Sequence, residues 1–372
     1  MKLKLHGAAL ALVATTALTL TACGSNPNAG SGGGPSASGP PVKCGGKNNL
    51  NGEGSSAQKN AMDAFIQAYQ QRCSGQNVAY NPTGSGSGVK QFTAGLVDFG
   101  GSDSPLVAAD QVAAATKRCQ DHPAWNLPLV FGPVALGYHL NGVTNLVLNA
   151  ETTAKIFNGK ITSWNDAAIT ALNPGVSLPA TPIRVIFRSD ESGTTDNFQL
   201  YLQTASKGAW TQGAGKSFKG GVGSGAEKSA GVAQATNSTD GAITYVELSF
   251  AQDNKLSIAK IDTGSGPVEL NGQSVGKAID AAKIKGEGNN LVLDLNSIYG
   301  STEAGAYPLI LATYELVCSQ GYAPDVAQAV KAFLTVAATD GQANLADAGY
   351  APLPEAFQKK ILAAVEAISP QA

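Results

Sequence analysis

From Cys44 onward, strand-like segments alternate with helix-like segments, and this order restricts the 372-residue chain to a narrow class of folds. Apolar periodicity predicts three early strands, at 47–51, 77–81 and 97–100. Helices are predicted between and after them, at 56–72, from about 87, and at 107–117. A β-α-β-α-β order requires parallel strands joined by right-handed crossovers. The sequence therefore predicts an α/β fold that begins with a parallel sheet.

Two apolar segments, 127–140 and 307–318, are much longer than a strand of about 5–6 residues. Between them the chain has its own pattern, with helices predicted at 152–157 and 194–203 and a strand at 183–188. After them, helices are predicted at 323–338 and 354–368. A strand of this length can leave one domain and enter another, so we predict two lobes joined by a two-strand hinge, with a ligand cleft between them. Lobe 1 comprises 44–140 and the return segment 306–372, and lobe 2 comprises 141–305.

The first 43 residues are predicted to direct export and anchoring rather than to join the fold. A polar start and a short apolar run at 8–20 are typical of a signal peptide, here 1–22, and the run is too short to span a bilayer. The run ends in LTAC, a bacterial lipobox, so Cys23 is the predicted lipidation site. Residues 23–43 are rich in Gly, Ser and Pro and are predicted to form a flexible tether. We therefore expect an exported protein held by lipid at the outer face of the cell membrane.

The other four cysteines are predicted to form two disulfides, because an exported chain meets an oxidising compartment. They have no C-x-x-C spacing, which argues against a zinc site. Cys44 precedes the first strand and Cys73 ends the next helix, so neighbouring parallel strands favour the pairs Cys44–Cys73 and Cys119–Cys318. Four cysteines allow three pairings, and the other two remain open.

Charge and histidine content argue against several classes of function. Lys and Arg number 25 against 27 Asp and Glu, so no concentrated positive field is available for nucleic acid. The chain has three histidines, too few for a His-rich metal centre. We expect neither a metal nor a cofactor.

Four predicted strand-to-helix turns carry glycine and hydroxyl side chains, which allow a backbone to approach an anion and hydrogen-bond to it. The turns are GEGSS at 52–56, GSGSG at 84–88, GGSDSP at 100–105 and RSDESGTT at 188–195. Taken singly, a hydroxyl in such a turn is more simply explained as a helix N-cap, and Arg188 as a surface ion pair with Asp190. Three turns come from lobe 1 and one from lobe 2. Their convergence predicts a bound oxyanion between the lobes.

Together these motifs resemble the phosphate-binding lipoprotein of bacterial phosphate-specific ABC importers, the PstS family, in its actinobacterial form. The resemblance covers about 50–354 and includes GSGSGVKQ at 84–91, VDFGGSD at 97–103, IFNGKI at 156–161, WND at 164–166, RSDESGT at 188–194 and GAITYV at 241–246. It implies a two-lobed periplasmic-binding-protein-like fold of type II, with two mixed sheets flanked by helices. It also implies a monomer that binds inorganic phosphate and delivers it to the transmembrane permease subunits of an ABC importer.

The resemblance implies a set of ligand residues, in which Asp190 holds the guanidinium of Arg188. The residues expected to contact phosphate are Ser55, Ser56, Ala57, Ser85, Asp103, Arg188, Ser192, Gly193 and Thr194. Ala57 is expected to act through its backbone N–H. As an acceptor, Asp103 would require a proton on the ligand, which phosphate carries near neutral pH and sulfate does not. Glu191 stands where the family often has glycine and is expected to point to solvent.

Three other functions are alternatives to phosphate binding. An enzyme is suggested by GQSVG at 272–276, but the nucleophile-elbow fold needs a histidine after the serine and none follows. The segment GKS at 215–217 lacks the first glycine of a P-loop, and a phosphatase-like activity is the least favoured alternative. The same fold binding sulfate, molybdate or a phosphonate is the nearest alternative. A surface adhesin would not need the four turns.

Overall fold

The computed structural model describes residues 40–371. The predicted signal peptide at 1–22, the lipidation site Cys23 and most of the predicted tether lie outside the described residues. The strands are β1 (Asn49–Gly54), β2 (Asn77–Asn81), β3 (Phe99–Ser102), β4 (Ala124–His139), β5 (Val147–Asn149), β6 (Arg184–Arg188), β7 (Ser224–Ala226), β8 (Ala242–Glu247), β9 (Ser257–Ile258), β10 (Lys260–Asp262), β11 (Pro267–Val268), β12 (Lys283–Ile284), β13 (Leu293–Asp294) and β14 (Ile310–Cys318).

Helices flank these strands, and a 3₁₀ turn covers Asp340–Gln342. The helices are α1 (Lys59–Arg72), α2 (Ser85–Thr93), α3 (Ala109–Arg118), α4 (Ala150–Phe157), α5 (Ala167–Leu172), α6 (Gly193–Ala205), α7 (Lys228–Asn237), α8 (Leu248–Asp253), α9 (Gly272–Asp280), α10 (Asn296–Tyr299), α11 (Pro324–Ala338) and α12 (Glu355–Ala367).

The main sheet of the described residues has nine strands and is mixed. Its order is β2-β1-β3-β14-β4-β8-β6-β7, with β9 paired to β4. β1 is parallel to β2 and β3, as the β-α-β-α-β order predicted. β6 is parallel to β7 and β8, whereas β14 and β4 run antiparallel to their neighbours. Smaller sheets are formed by β11-β10-β5 and by β12-β13.

The long strand β4 belongs to both halves of this sheet. Its first part pairs with β14, from Ala124 to Pro133, and its last part pairs with β8, from Val134 to His139. The two mixed sheets expected from the sequence therefore meet on one shared strand. All nine residues of β14 are buried, which explains why both long strands are nearly continuous apolar runs. The predicted lobe boundaries remain a prediction.

The ends of the predicted elements lie within three residues of the observed ones. The first helix begins at Lys59 instead of 56, because residues 55–58 form a turn in which Ser55 Oγ accepts a hydrogen bond from the backbone N–H of Ala57. The second helix begins at Ser85, directly after Gly84. Gly84 has φ +109°, and a Cβ there would lie 2.5 Å from a carboxylate oxygen of Asp190. Glycine is therefore required at this turn.

The described residues contain the two disulfides that the element order favoured. Cys44 is bonded to Cys73 and Cys119 to Cys318, with Cα–Cα distances of 5.4 and 5.3 Å. Between residues 40 and 371, no helix is both long enough and apolar enough to cross a membrane.

Candidate functional site

The nine predicted ligand residues lie at strand ends and helix starts, and each of them is buried. Residues 55–57 follow β1, Ser85 opens α2 and Asp103 follows β3, while Arg188 ends β6 and residues 192–194 begin α6. The first turn of an α-helix has backbone N–H groups without intrahelical partners, and its dipole favours an anion. Two helix starts and three strand ends therefore bring polar groups to one region.

Asp103 connects the two halves of the sheet through its side chain. Thr313 Oγ1 on β14 donates to Oδ1 at 2.8 Å, and Thr194 Oγ1 at the start of α6 donates to Oδ2 at 3.1 Å. The backbone N–H of Asp103 donates to Ser85 Oγ at 3.1 Å. Burial raises the pKa of Asp103, while the hydroxyls of Ser55, Thr313 and Thr194 and the charge of Arg188 oppose this rise. Burial is the larger effect, so the net pKa of Asp103 is raised, while its carboxyl oxygens act as acceptors for the hydroxyls of Thr313 and Thr194.

Arg188 is a buried cation held in place by a carboxylate. Its Nε donates to Asp190 Oδ1 at 2.7 Å and its Nη2 to Oδ2 at 2.5 Å, so the ion pair is bidentate. Burial alone raises the pKa of Asp190, but the hydrogen bonds and charge of Arg188 outweigh it, and the net effect lowers that pKa. The backbone N–H of Lys228 also donates to Oδ1 at 2.9 Å. This network holds the guanidinium in one orientation.

Gly193 makes the approach between the α6 loop and Asp103 possible. A Cβ at this position would lie 2.6 Å from the Cβ of Asp103 and 2.7 Å from Ser85 Oγ, closer than real side chains come. The preceding residue, Ser192, is the N-cap of α6 and accepts from the backbone N–H of Thr195 at 3.2 Å. The 192–194 segment is thus a capped helix start seated directly on the carboxylate.

Residues 55–57 are also brought to this region, with one difference from the expected roles. The backbone N–H of Ala57, expected to face the ligand, donates to Ser55 Oγ at 3.1 Å. Ser56 Oγ lies 3.0 Å from Ser229 Oγ and accepts from the backbone N–H of Ser229 at 3.1 Å. The hydroxyl of Ser56 therefore reaches across to the start of α7.

Two polar residues near the site were not predicted. Ser229 is buried at the start of α7, where Arg188 Nη1 donates to its Oγ at 3.4 Å. Thr313 lies in the middle of β14 and donates to Asp103. Ser229 follows a strand-to-helix turn without the glycine pattern of the other four. Thr313 stands beside Tyr314 and Glu315 in an otherwise apolar strand, and no local pattern marks it as a partner of Asp103.

Glu191 points away from the buried region, as expected. Its side chain is 48% exposed and forms an ion pair of 2.6 Å with Lys90. The backbone oxygen of Glu191 accepts from Gly86 N at 2.9 Å, so the loop is tied to α2. The extra carboxylate is therefore directed to solvent.

A cavity of about 460 Å³ adjoins the site. Asp103 and Asn197 line it together with Asp196, Lys216 and Lys285, so acidic and basic side chains both lie along this space. A cavity of about 500 Å³ beside α9 is lined mainly by apolar groups such as Leu248 and offers an anion few partners. Of the nine predicted ligand residues, Asp103 lines the 460 Å³ cavity.

The serine of the GQSVG segment has a structural role. Ser274 is the third residue of α9 and forms a capping box with Asn271. Its Oγ donates to the backbone oxygen of Glu269 at 2.6 Å. Over residues 40–371, no group of three or more His, Cys, Asp or Glu is arranged to hold a metal ion.

The chain is similar to known proteins over almost its whole length. Residues 24–340 match the family model of the PBP superfamily domain. The chain is 52% identical to "Phosphate-binding protein PstS 3" of Mycobacterium leprae, over 99% of this chain and 100% of that protein. It is 51% identical to "Phosphate-binding protein PstS 3" of Mycobacterium tuberculosis with the same coverage, and 33% identical to "Phosphate-binding protein PstS" of Xylella fastidiosa over 77% of each chain.

Solved structures show the same fold at low sequence identity. A high-affinity periplasmic phosphate-binding protein solved with phosphate superposes with a TM-score of 0.68 at 22% identity, covering 85% of this chain and 93% of that one. A phosphate-binding protein from Stenotrophomonas maltophilia gives a TM-score of 0.64 at 21% identity, covering 85% and 94%. These likenesses concern the fold alone, whereas the identity to the mycobacterial proteins spans the whole chain. This chain belongs to the PstS family of phosphate-binding proteins, within the PBP superfamily.

Proposed function

We propose that this protein binds inorganic phosphate, as HPO₄²⁻ or H₂PO₄⁻, at the site around Asp103 and Arg188. The observation that carries the proposal is the pairing of a buried, bidentately held guanidinium with a buried carboxylate that accepts hydroxyl donors from both halves of the sheet. Family membership supports it, because the relatives of highest identity described above are named phosphate-binding proteins. The function is binding rather than catalysis.

Selectivity follows from the mixed chemistry of the site. Arg188 and the helix-start N–H groups donate to phosphate oxygens, and each charge-assisted hydrogen bond contributes about 1.5–3 kcal/mol. The Asp103 carboxylate can only accept, so it requires a proton on the ligand. Sulfate would place two acceptors against each other in a buried site. Such unsatisfied contacts discriminate strongly, by factors on the order of 10⁴–10⁵.

Binding serves delivery to an importer. Phosphate that bridges the predicted lobes stabilises the closed form over the open one, because it contacts both lobes only when they are together. The closed protein then docks on the permease subunits of an ABC importer, where the ligand is released. We further propose that the chain is exported, with signal peptide 1–22 removed, and is held at the outer face of the cell membrane by a lipid on Cys23.

The test is calorimetric titration of the chain lacking residues 1–23 with phosphate and with sulfate, after carried-over ligand has been removed. We expect phosphate to bind with a micromolar or lower dissociation constant and sulfate to give no measurable binding. In D103A, phosphate affinity should fall at least tenfold and the preference over sulfate should shrink. Equal affinity for the two anions in the unmodified protein would exclude phosphate selectivity. Unchanged selectivity in D103A would remove Asp103 from its role.

A further inference from the structure

A carboxyl group is buried without a partner close to the turn at 55–57. Glu315 on β14 is fully buried, and neither of its carboxyl oxygens has a hydrogen-bond partner in the part of the chain that the structure describes. The side-chain oxygen of Gln58 is buried and equally without a partner there. Glu315 pairs in register with Gly101 of β3, and the Gln58 amide lies over Gly101, where an added Cβ would meet its Nε2, so the two side chains are neighbours on one face of the sheet. Both are acceptors if Glu315 is ionised, so an ionised Glu315 leaves this contact unsatisfied.

If Glu315 carries a proton, the side chains between Glu315 and Ser55 can form one continuous chain of hydrogen bonds. The carboxylic acid then donates to Gln58 Oε1, Gln58 Nε2 donates to the Tyr80 hydroxyl at 2.9 Å, and Tyr80 donates to the backbone oxygen of Ser55 at 2.9 Å. Turning the Gln58 amide over would offer Tyr80 two acceptors for its single hydrogen, and one acceptor would stay without a donor. The protonated carboxyl is thus the arrangement in which Gln58, Tyr80 and Ser55 are all paired.

We propose that Glu315 is a neutral carboxylic acid in the folded protein and a positioning residue for the anion site. Through Gln58 and Tyr80 it holds the backbone of Ser55, and residues 55–57 contribute three of the predicted ligand residues. Glu315 touches no ligand itself. The positioning role rests on the proposed phosphate function, because it is tested by phosphate binding. The protonation state of Glu315 can be tested without any ligand.

The surroundings of Glu315 favour the neutral acid. The titratable groups that face it are Tyr80 on β2 and Asp103 after β3, and its hydrogen-bonding neighbour is Gln58. Burial, with a smaller contribution from the charge of Asp103, raises the pKa of Glu315 to about 8, although the Gln58 amide opposes the rise because its N–H could donate to an ionised carboxylate. Burial and the charges of Glu315, Asp103 and Glu53 also raise the pKa of Tyr80 well above its usual range, so Tyr80 remains a donor.

Alkaline pH should therefore weaken the site. When Glu315 loses its proton, Gln58 must turn over, and Tyr80 can no longer serve both Gln58 and Ser55. One pH unit above a pKa of about 8, about a tenth of the molecules keep the neutral acid, and the apparent phosphate affinity falls about tenfold for this reason alone.

The first test is infrared spectroscopy of the ligand-free, full-length protein. At pH 7 the difference spectrum of the unmodified protein minus E315Q should contain the carbonyl stretch of a neutral carboxylic acid, and this band should vanish between pH 7 and pH 10. E247Q is the reference, because Glu247 is another fully buried acid and removing it should leave the Glu315 band in place. Carboxylate bands instead of the acid band in the E315Q difference at pH 7 would overturn the proposal.

The second test is the dissociation constant of phosphate at pH 7 and pH 9 in identical buffers. E315L, which removes the donor, should weaken binding about tenfold at pH 7, and E315Q should restore most of that loss because its amide still donates to Gln58. Between pH 7 and 9 the unmodified protein should lose about tenfold more affinity than E315Q. Phosphate itself titrates in the same way in every measurement. The difference between two variants at the same pH is therefore free of that effect.

The third test uses a matched pair of tyrosines. Y80F should weaken binding about tenfold, whereas Y138F removes a buried hydroxyl that has no partner among residues 40–371 and should not weaken it. Equal pH profiles for E315Q and the unmodified protein would refute the positioning role while leaving phosphate binding intact. Absence of phosphate binding in every variant would refute the proposed function, and the infrared result would still decide the state of Glu315.

Discussion

At the scale of single residues, the site depends on close approach rather than on accumulated charge. Asp103 and Asp190 together carry more charge than Arg188, so bulk attraction cannot hold an anion here. What the site offers is oriented donors at short range, and Gly193 is the residue that permits this. Its missing Cβ lets the start of α6 sit against Asp103 and Ser85. A local steric limit therefore decides whether the ligand residues meet.

G193A should reduce phosphate affinity at least tenfold. The added methyl group would lie 2.6 Å from the Cβ of Asp103, so either the α6 start or the carboxylate must move. Titration calorimetry measures the loss. G276A is the matched control, because that glycine also lies in a helix and has no atom within 4 Å of the added group. Wild-type affinity in G193A would show that the approach is not needed for binding.

At the scale of elements, two helix starts face each other across the site. Ser56 precedes α1, in a segment assigned to predicted lobe 1, and Ser229 lies at the start of α7, in predicted lobe 2. Their hydroxyls are 3.0 Å apart, and Ser229 also accepts from Arg188. The contact thus joins one helix start to the guanidinium of the other half.

S229A should weaken phosphate binding about fivefold, mainly through faster dissociation. The substitution removes one buried hydrogen bond across the site, which is worth about 1 kcal/mol. Stopped-flow displacement gives the dissociation rate and calorimetry the affinity. S238A is the control, because it removes a serine hydroxyl at the C-terminal end of the same helix. Ser238 is exposed, and its hydroxyl donates to the nearby backbone oxygen of Ala235. If both variants dissociate at the wild-type rate, the Ser56–Ser229 contact does not hold the site closed.

At the scale of the whole molecule, buried acids along the sheet make stability depend on pH. Burial raises the pKa of Glu247 to about 8, with hydrogen bonds from Ser249 opposing the shift. A carboxyl whose pKa is higher in the folded chain contributes stability that is fully present below the unfolded value. That stability is lost as the pH rises through the folded value. The pH range over which Glu247 makes the protein less stable as the pH rises therefore extends from about 4.5 to about 8.

Across this pH range, the unfolding free energy of the unmodified protein should decline as the pH rises. E247Q should make this slope shallower by at most about 1.4 kcal/mol per pH unit. Urea unfolding at pH 5.5, 6.5, 7.5 and 8.5 gives the slopes. E355Q is the control, because Glu355 is exposed and pairs with Lys359 on the surface of α12. A slope for E247Q identical to that of the unmodified protein would mean that Glu247 is already ionised in the folded state.

The amino-acid sequence by itself determined the parallel start of the fold, the two long strands and the four turns, and it favoured the disulfide pairing that the structure has, because each is local or follows from element order. Periodicity and glycine positions act over a few residues. The roles of Thr313, Ser229 and Glu315 could not be predicted in this way. The partner of each lies far away in the chain, as Asp103 lies 210 residues from Thr313. Only the tertiary structure decided which of these side chains meet, because burial creates the need for a hydrogen-bond partner and the sheet order supplies it.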